Sequence, residues 1–273
     1  MTPKTGLATA LVAAIVAAIV SAATVLIVWR AAPGIVDAPS ASSGAGAGMD
    51  EKQVVEIVRG YLTENPEILV EMTTELDKRQ QEEQAAQQEK AISENADALF
   101  RSDKSFAAGN PDGDVTVVEF FDYNCGFCRR AVPDVLKLID NDDKVKLVLK
   151  ELPIFGGDSE DAAKGALAAH EQGKYFEMHQ KLFSDPGKAN KEKVLRIANE
   201  LGLDVPQLEK DMESEKVQAA LDEARELAQK LGLQGTPLYL IGDRTIPGAP
   251  DDLYDQLVEN VTVIREQGCT ATC

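Results

Sequence analysis

The spacing of hydrophobic positions changes several times along the chain. From Leu7 to Trp29 no charge interrupts the run LATALVAAIVAAIVSAATVLIVW. A helix needs roughly 20 residues to cross a hydrocarbon core of about 30 Å, so this run is long enough. Lys4 precedes it, Arg30 follows it, and Trp29 stands where an interfacial aromatic belongs. The pattern predicts a signal anchor over residues 1–30. A cleaved signal peptide is the alternative, but its apolar region ordinarily runs about 7–15 residues. Either way the remainder is exported. Apart from Ile35 and Val36, residues 31–48 are Ala, Gly, Ser and Pro with one charge, a flexible tether.

From Asp50 to Phe100 helix formers dominate, punctuated at Asn65-Pro66. Proline suits the first position of a helix, with Asn65 as its cap, so two helices are predicted, about 50–63 and 66–100. A 3–4 spacing visits Val55, Val58, Leu62, Asn65, Leu69, Met72 and Leu76, apolar at every position but one. That is the pattern of a coiled-coil seam. After Leu76 the chain turns polar, DKRQQEEQAAQQEK. Such a stripe either packs on its own domain or associates with other copies. A helix lying along its own domain would stay amphipathic throughout. Residues 49–100 are therefore read as a self-association segment with a polar stalk.

Beyond residue 100 strand patterns enter. Asp114–Asp122 (DVTVVEFFD) reads as a buried strand, RRAVPDVLKLID as a helix containing Pro133, and Lys144–Leu152 (KVKLVLKEL) as a second strand at βαβ spacing. Residues 157–232 are helical in pattern. GTPLYLIGDRTIPG reads as strand, turn and strand, and Asp251–Glu266 as a closing helix. The fold class is α/β with a helical insertion.

Charge removes one class of function. Against 28 Lys and Arg stand 46 Asp and Glu, a net charge of -18. A polyanion would be repelled, so no nucleic acid is expected as a partner. Four cysteines are too few for a disulfide-built scaffold, and His170 and His179 are too few for a His-rich metal site.

The chemistry lies in Cys125-Gly126-Phe127-Cys128, between a predicted strand and a predicted helix. A cysteine at a helix N-terminus meets free N–H groups and the positive end of the macrodipole, which favour its thiolate. Cys125 is then an exposed nucleophile and Cys128, one turn on, the resolving thiol. A zinc site would need Cys269 and Cys273, about 140 residues further along. Copper(I) on the reduced dithiol finds no Met-rich or His-rich run in support. No metal and no organic cofactor is expected. The C-x3-C pair Cys269 and Cys273 reads as a small terminal disulfide, with a second redox pair or free thiols as alternatives.

FFDYNCGFC, the βαβ pattern, the helical insertion and Gly235-Thr236-Pro237 occur in an order that resembles the DsbA-like branch of the thioredoxin superfamily, over residues 101–268. VVEIVRGYLTENPEILVEM resembles the oligomerisation region of trimeric ScsC-like members. The resemblance implies a thioredoxin fold with a helical insertion, acting as a periplasmic thiol–disulfide oxidoreductase on cysteine-containing exported proteins. It also implies a homotrimer and a membrane redox partner that resets the dithiol. Pro237, preceded by Thr236, would be a cis-proline facing the thiols and binding substrate. Glu119 would be the buried acid and Lys150 its basic partner on the next strand, together relaying a proton to Cys128. An ordinary strand-edge ion pair is the alternative for these two. Gly126-Phe127 departs from the Pro-His of strongly oxidising members and lies close to the Gly-Tyr of isomerases. Disulfide isomerisation is the leading reading and dithiol oxidation the second. A non-catalytic adaptor with a structural C-x-x-C disulfide is a reading of another class.

Overall fold

The computed structural model describes residues 50–269. The span expected at Leu7–Trp29, the tether at 31–48 and Cys273 lie outside the described residues. Among the described residues no helix is long and apolar enough to cross a membrane.

The chain divides into two compact units between Glu71 and Met72. The first holds α1 (Glu51–Glu64) and the start of α2 (Glu67–Glu94). Asp50 caps α1: its carboxylate accepts from Gln53 N at 2.8 Å, and Asp50 N donates back to Gln53 Oε1 at 3.2 Å. These reciprocal bonds satisfy donors that the first helical turn leaves free. The break falls at Asn65-Pro66 as expected. No residue of α1 is buried, and Val55, Val58 and Tyr61 are all at least half exposed.

The second helix does not run on to Phe100. It stops at Glu94, and a short α3 (Ala96–Phe100) follows. Asn95 makes the break, because its side-chain amide donates to Ala91 O at 2.8 Å. Such a side chain offers the backbone an alternative to the helical ladder. The expected stalk is shorter than 77–100 for a second reason. Ile92, Ala96, Leu99 and Phe100 recur at helical spacing and are buried against Val118, Phe120 and Val148.

The remaining elements are β1 (Phe106–Gly109), β2 (Val115–Phe121), α4 (Gly126–Asn141), β3 (Val145–Glu151), α5 (Gly157–Glu171), α6 (Tyr175–Ser184), α7 (Lys191–Glu200), α8 (Val205–Met212), α9 (Glu215–Lys230), β4 (Leu238–Ile241), β5 (Arg244–Pro247) and α10 (Leu253–Gln267). The sheet order is β1-β3-β2-β4-β5. β2 and β3 run parallel across the α4 crossover, and β1, β4 and β5 pair antiparallel. Gly242 sits at φ 60° in the β4–β5 turn, a conformation side chains with a Cβ rarely adopt. The helical insertion fills the gap between β3 and β4. The pattern gave no sign of β1.

Alternation along the strands sends side chains to opposite faces. Val117, Phe121, Leu147 and Leu149 share one core with Cys125, Cys128, α4 and the insertion helices α5–α8. Val118, Phe120 and Val148 share the other with Leu227 and Leu231 of the α9 end and with Ile92 and Phe100. The architecture is the thioredoxin-like α/β fold the resemblance implied. It places the β2–α4 junction beside the loop that enters β4.

Candidate active site

Cys125 is the N-cap of α4, and its sulfur accepts from Cys128 N at 3.3 Å. The Cys125 thiol donates to Thr236 O at 3.2 Å. The Thr236-Pro237 peptide is cis, and the Thr236 carbonyl before it lies against the Cys125 thiol. Among the described residues the buried Thr236 hydroxyl has no hydrogen-bond partner.

The two thiols are driven apart in acidity. A hydrogen bond from the Cys128 thiol, aided by the N–H groups of Cys128 and Phe127, lowers the Cys125 pKa to about 6, against an opposing burial effect. Burial first, and then its hydrogen bond to Cys125, pushes Cys128 far above the ordinary thiol range. A thiolate therefore forms on Cys125 near neutral pH while Cys128 keeps its proton. The expected exposure of Cys125 is corrected by the fold: Cys125 is 2% exposed and Cys128 0%. Thr236 packs over the sulfur, and solvent instead meets Phe127, 57% exposed, with the Arg130 guanidinium 4.9 Å from its ring centre.

Glu119 is buried on the thiol side of β2 and accepts from the Tyr239 hydroxyl at 3.1 Å. Burial raises its pKa to about 8, with the Tyr239 bond opposing and the Cys125 charge adding. The expected Glu119–Lys150 pair does not form. Glu119 stands opposite Leu149 in the register, and Lys150 stands opposite Phe120. Lys150 therefore points to the other face, where its Nζ binds Glu223 at 2.8 Å and Ala98 O at 2.6 Å. Gly126 and Phe127 are exposed between the two thiols. Cys269 is disulfide-bonded, and the partner expected for it, Cys273, lies outside the described residues.

Two further acids were passed over. Asp122 accepts from Asn124 N at 2.7 Å, Ser159 Oγ at 2.8 Å, Ile154 N at 2.7 Å and Phe155 N at 3.1 Å. One buried carboxylate thus fastens the loop before Cys125 to the loop after β3. Its place three residues before the first cysteine was the only signal. Glu151 is buried on the thiol side and accepts from the hydroxyls of Tyr123 at 2.9 Å and Tyr175 at 2.7 Å, while its Oε2 has no partner. Burial raises it well above the usual carboxylate range. Tyr123 also meets Nδ1 of His179 at 3.1 Å, and burial holds this imidazole neutral, with its pKa lowered to about 3.

The chain matches the DSBA-like thioredoxin domain over residues 116–260 and the copper resistance protein ScsC N-terminal domain over residues 50–83. A thioredoxin-like oxidoreductase from Silicibacter pomeroyi DSS-3 is 49% identical, covers 63% of this chain and 98% of its own, and superposes with a TM-score of 0.61. Proteus mirabilis ScsC, in a transitional conformation, is 30% identical with a TM-score of 0.59, covering 80% of this chain and 97% of its own. A probable disulfide bond formation protein D from Bacillus anthracis is 29% identical over 163 residues, 55% of this chain and 75% of that one. The chain also matches curated sodium/proton antiporters of the NhaA type. It spans only 22% of the length of the Salinispora tropica example, at 28% identity over 144 residues and 52% of this chain.

Proposed function

The chain belongs to the DsbA-like thioredoxin family and is a thiol–disulfide oxidoreductase, and from that premise we propose that it is an exported, self-associating disulfide isomerase. The observation that carries this reading is α1, an apolar stripe with no buried residue. Several active sites facing one space make the second encounter with a substrate intramolecular, at high effective concentration. Isomerisation needs that second encounter and simple oxidation does not. The seam spacing supports self-association, and the resemblance of residues 50–83 to trimeric ScsC-like members supports a homotrimer. The Leu7–Trp29 run supports export and anchoring at the outer side of a bacterial inner membrane, where a membrane redox partner would reset the dithiol. The Gly126-Phe127 dipeptide is consistent with interchange.

The chemistry follows from the split acidities. The Cys125 thiolate attacks a substrate disulfide, its sulfur bonds to one substrate sulfur, and the other leaves as a thiolate. In isomerisation a second substrate thiolate attacks this mixed disulfide and expels Cys125, with no net oxidation. In the escape route Cys128 loses its proton and attacks Cys125, which leaves a reduced substrate and a Cys125–Cys128 disulfide. Glu119, titrating at about 8, is suited to take that proton and return it. Lys150 has no part in this relay, because it lies on the other face. Thr236 and Pro237 present the carbonyl and edge against which the substrate chain would lie.

The test compares a soluble form starting at Met49 with one starting at Asp77. Light scattering is expected to give a trimer and a monomer respectively. Refolding of a scrambled-disulfide substrate should be catalysed by the first only, and dithiol oxidation should be kept or increased in the second. A monomeric longer form would remove the isomerase reading and leave the oxidase. Cys128→Ser should trap exported proteins on Cys125, and their absence would favour an adaptor.

A further inference from the structure

A cavity of about 580 Å³ opens beside α4, walled by Val132, Pro133, Leu136, Phe183 and Pro186, with Arg129 at its edge. Arg129 directly follows Cys128, so the cavity begins where the reactive turn ends. Its polar rim is unusual for a chain of net charge -18. The Arg129 guanidinium donates to Asp185 O at 3.3 Å and Tyr123 O at 3.5 Å. Lys193, 7% exposed, donates to the same Asp185 O at 3.0 Å and to Gly187 O at 3.0 Å. Two cations thus converge on one carbonyl oxygen, and among the described residues neither has a carboxylate within ion-pair distance. The Asp185 carboxylate is bound by Arg196 at 2.7 Å, and Lys188 is paired with Asp158. Burial, and then repulsion by Arg129, lower the Lys193 pKa against the attraction of the Asp185 carboxylate.

Arg129 is half-buried at the cavity edge with no carboxylate paired to it among the described residues, and an arriving anion would supply that partner. An apolar pocket with a cationic rim fits a group that is greasy at one end and anionic at the other. We propose that this cavity is a subsite for the polypeptide that exchanges disulfides at Cys125, taking a bulky apolar side chain next to an Asp or Glu a few residues from the reacting cysteine. The proposal rests on the thiol–disulfide reading above. Arg129 would hold the carboxylate, and Leu136 and Phe183 would cover the apolar side chain. The subsite would select among substrates and would not itself take part in bond exchange.

The test uses short peptides whose single cysteine is carried as a mixed disulfide with glutathione. The reduced enzyme is mixed with peptides that differ only at the neighbouring pair: Leu-Glu, Leu-Lys or Ser-Glu. Cys125 bonds to the peptide sulfur and releases glutathione. Cys128 then bonds to Cys125 and releases the peptide thiol, so the enzyme dithiol is oxidised and the mixed disulfide reduced. At low ionic strength Leu-Glu should react about tenfold faster than Leu-Lys, equivalent to about 1.4 kcal/mol. Added salt should shrink that ratio. Arg129→Leu should bring it within about twofold, the charge contribution being lost. Leu136→Ser should reduce the advantage of Leu-Glu over Ser-Glu and leave the Glu-over-Lys preference. Lys210→Met, which removes an exposed charge on α8, should leave both ratios intact. Equal wild-type rates for Leu-Glu and Leu-Lys would overturn the proposal, whether or not the variants fold. So would a ratio that survives Arg129→Leu. Failure to react with glutathione disulfide itself would instead bring down the thiol chemistry on which the subsite depends.

Discussion

The two faces of the central sheet treat buried charge in opposite ways. On the thiol face Glu119, Glu151 and His179 are buried with hydroxyl partners and, among the described residues, without an ion-pair partner. Burial moves each toward its neutral form, the carboxyls upward and the imidazole downward. On the other face Lys150 is just as buried, but Glu223 answers it directly, and Glu223 also accepts from Ser102 Oγ at 2.6 Å and Lys104 Nζ at 3.0 Å. One face holds its groups neutral and keeps one of them, Glu119, able to gain and lose a proton near neutral pH. The other uses a closed ion network to fasten residues 98–104 to the sheet and to α9. Proton chemistry and anchoring are separated by the thickness of a single strand.

The largest expected effect tests the thiol face. The Glu119 carboxyl rises from 4.5 to about 8 in the fold. Between these values the unfolded chain releases a proton that the folded chain keeps. Stability therefore falls as pH climbs from 4.5 to 8, by about 1.4 kcal/mol per unit. Glu119→Gln removes that decline. The variant should match wild type at pH 4 and exceed it at pH 8 by as much as about 5 kcal/mol in denaturant melts. It should also slow resolution by Cys128. A variant no more stable at pH 8 than at pH 4, relative to wild type, would show that Glu119 is not buried as an acid. Glu151 adds a decline of the same sign that this substitution leaves in place.

The second effect tests the opposite face. Lys150→Met removes the buried partner of Glu223, which keeps Lys104 and Ser102, so the cost should stay below the about 3–5 kcal/mol of a fully uncompensated buried charge. Lys150→Met with Glu223→Leu should recover most of the loss, since well-packed apolar replacements are often neutral. Neither change should move the pH dependence of Cys125 alkylation. A shifted alkylation profile would mean that the two faces communicate and that the separation drawn above is false.

A third effect has the reverse pH sign. The His179 pKa drops from 6.5 to about 3 through burial alone. As pH falls below 6.5 the unfolded chain takes up a proton that the folded chain refuses, so stability falls with it. At pH 5 that amounts to about 2 kcal/mol. Between pH 4.5 and 6.5 this contribution opposes the declines from Glu119 and Glu151, so His179→Gln should make stability fall more steeply with rising pH in that window and leave the slope above 6.5 unchanged. Urea melts of wild type and variant from pH 4.5 to 8.5 read this as a difference, and a difference that does not change below pH 6.5 would exclude His179 as its source.

This same strand pair marks how far the sequence could be read. DVTVVEFFD and KVKLVLKEL announce strands, and CGFC between a strand and a helix announces the thiols, because composition and turn position are local properties. Face is not local here. Strands covered on both sides show a continuous apolar run without alternation. Nothing in VVEFF against VLKEL says that Glu119 and Lys150 diverge, and Lys150's true partner lies 73 residues away at Glu223. The stalk misled for a related reason. Ile92, Ala96 and Leu99 keep helical spacing, but the polar run before them masks it, and only the sheet shows what they cover. Cys125 was expected exposed because the loop that closes over it begins at Thr236, far along the chain. The β1 strand, Phe-Ala-Ala-Gly, is too short to carry a pattern.

The smallest effect sharpens the comparison most finely, because it uses the same acceptor. Lys104 and Lys150 bind the two oxygens of Glu223 at 3.0 and 2.8 Å, yet the Lys104 side chain is 44% exposed and that of Lys150 1%. Distance would make the two pairs nearly equal. Solvent makes them different, because an exposed pair is screened and its side chain loses entropy on being held, leaving about 0–1 kcal/mol. Lys104→Met should therefore cost under about 1 kcal/mol, and added salt should erase the difference. Glu223 keeps Lys150 and Ser102 in that variant, so no charge is stranded. If Lys104→Met proves as costly as Lys150→Met, the network works as one unit anchoring residues 98–104, and burial of a single lysine is no longer what distinguishes this face from the other.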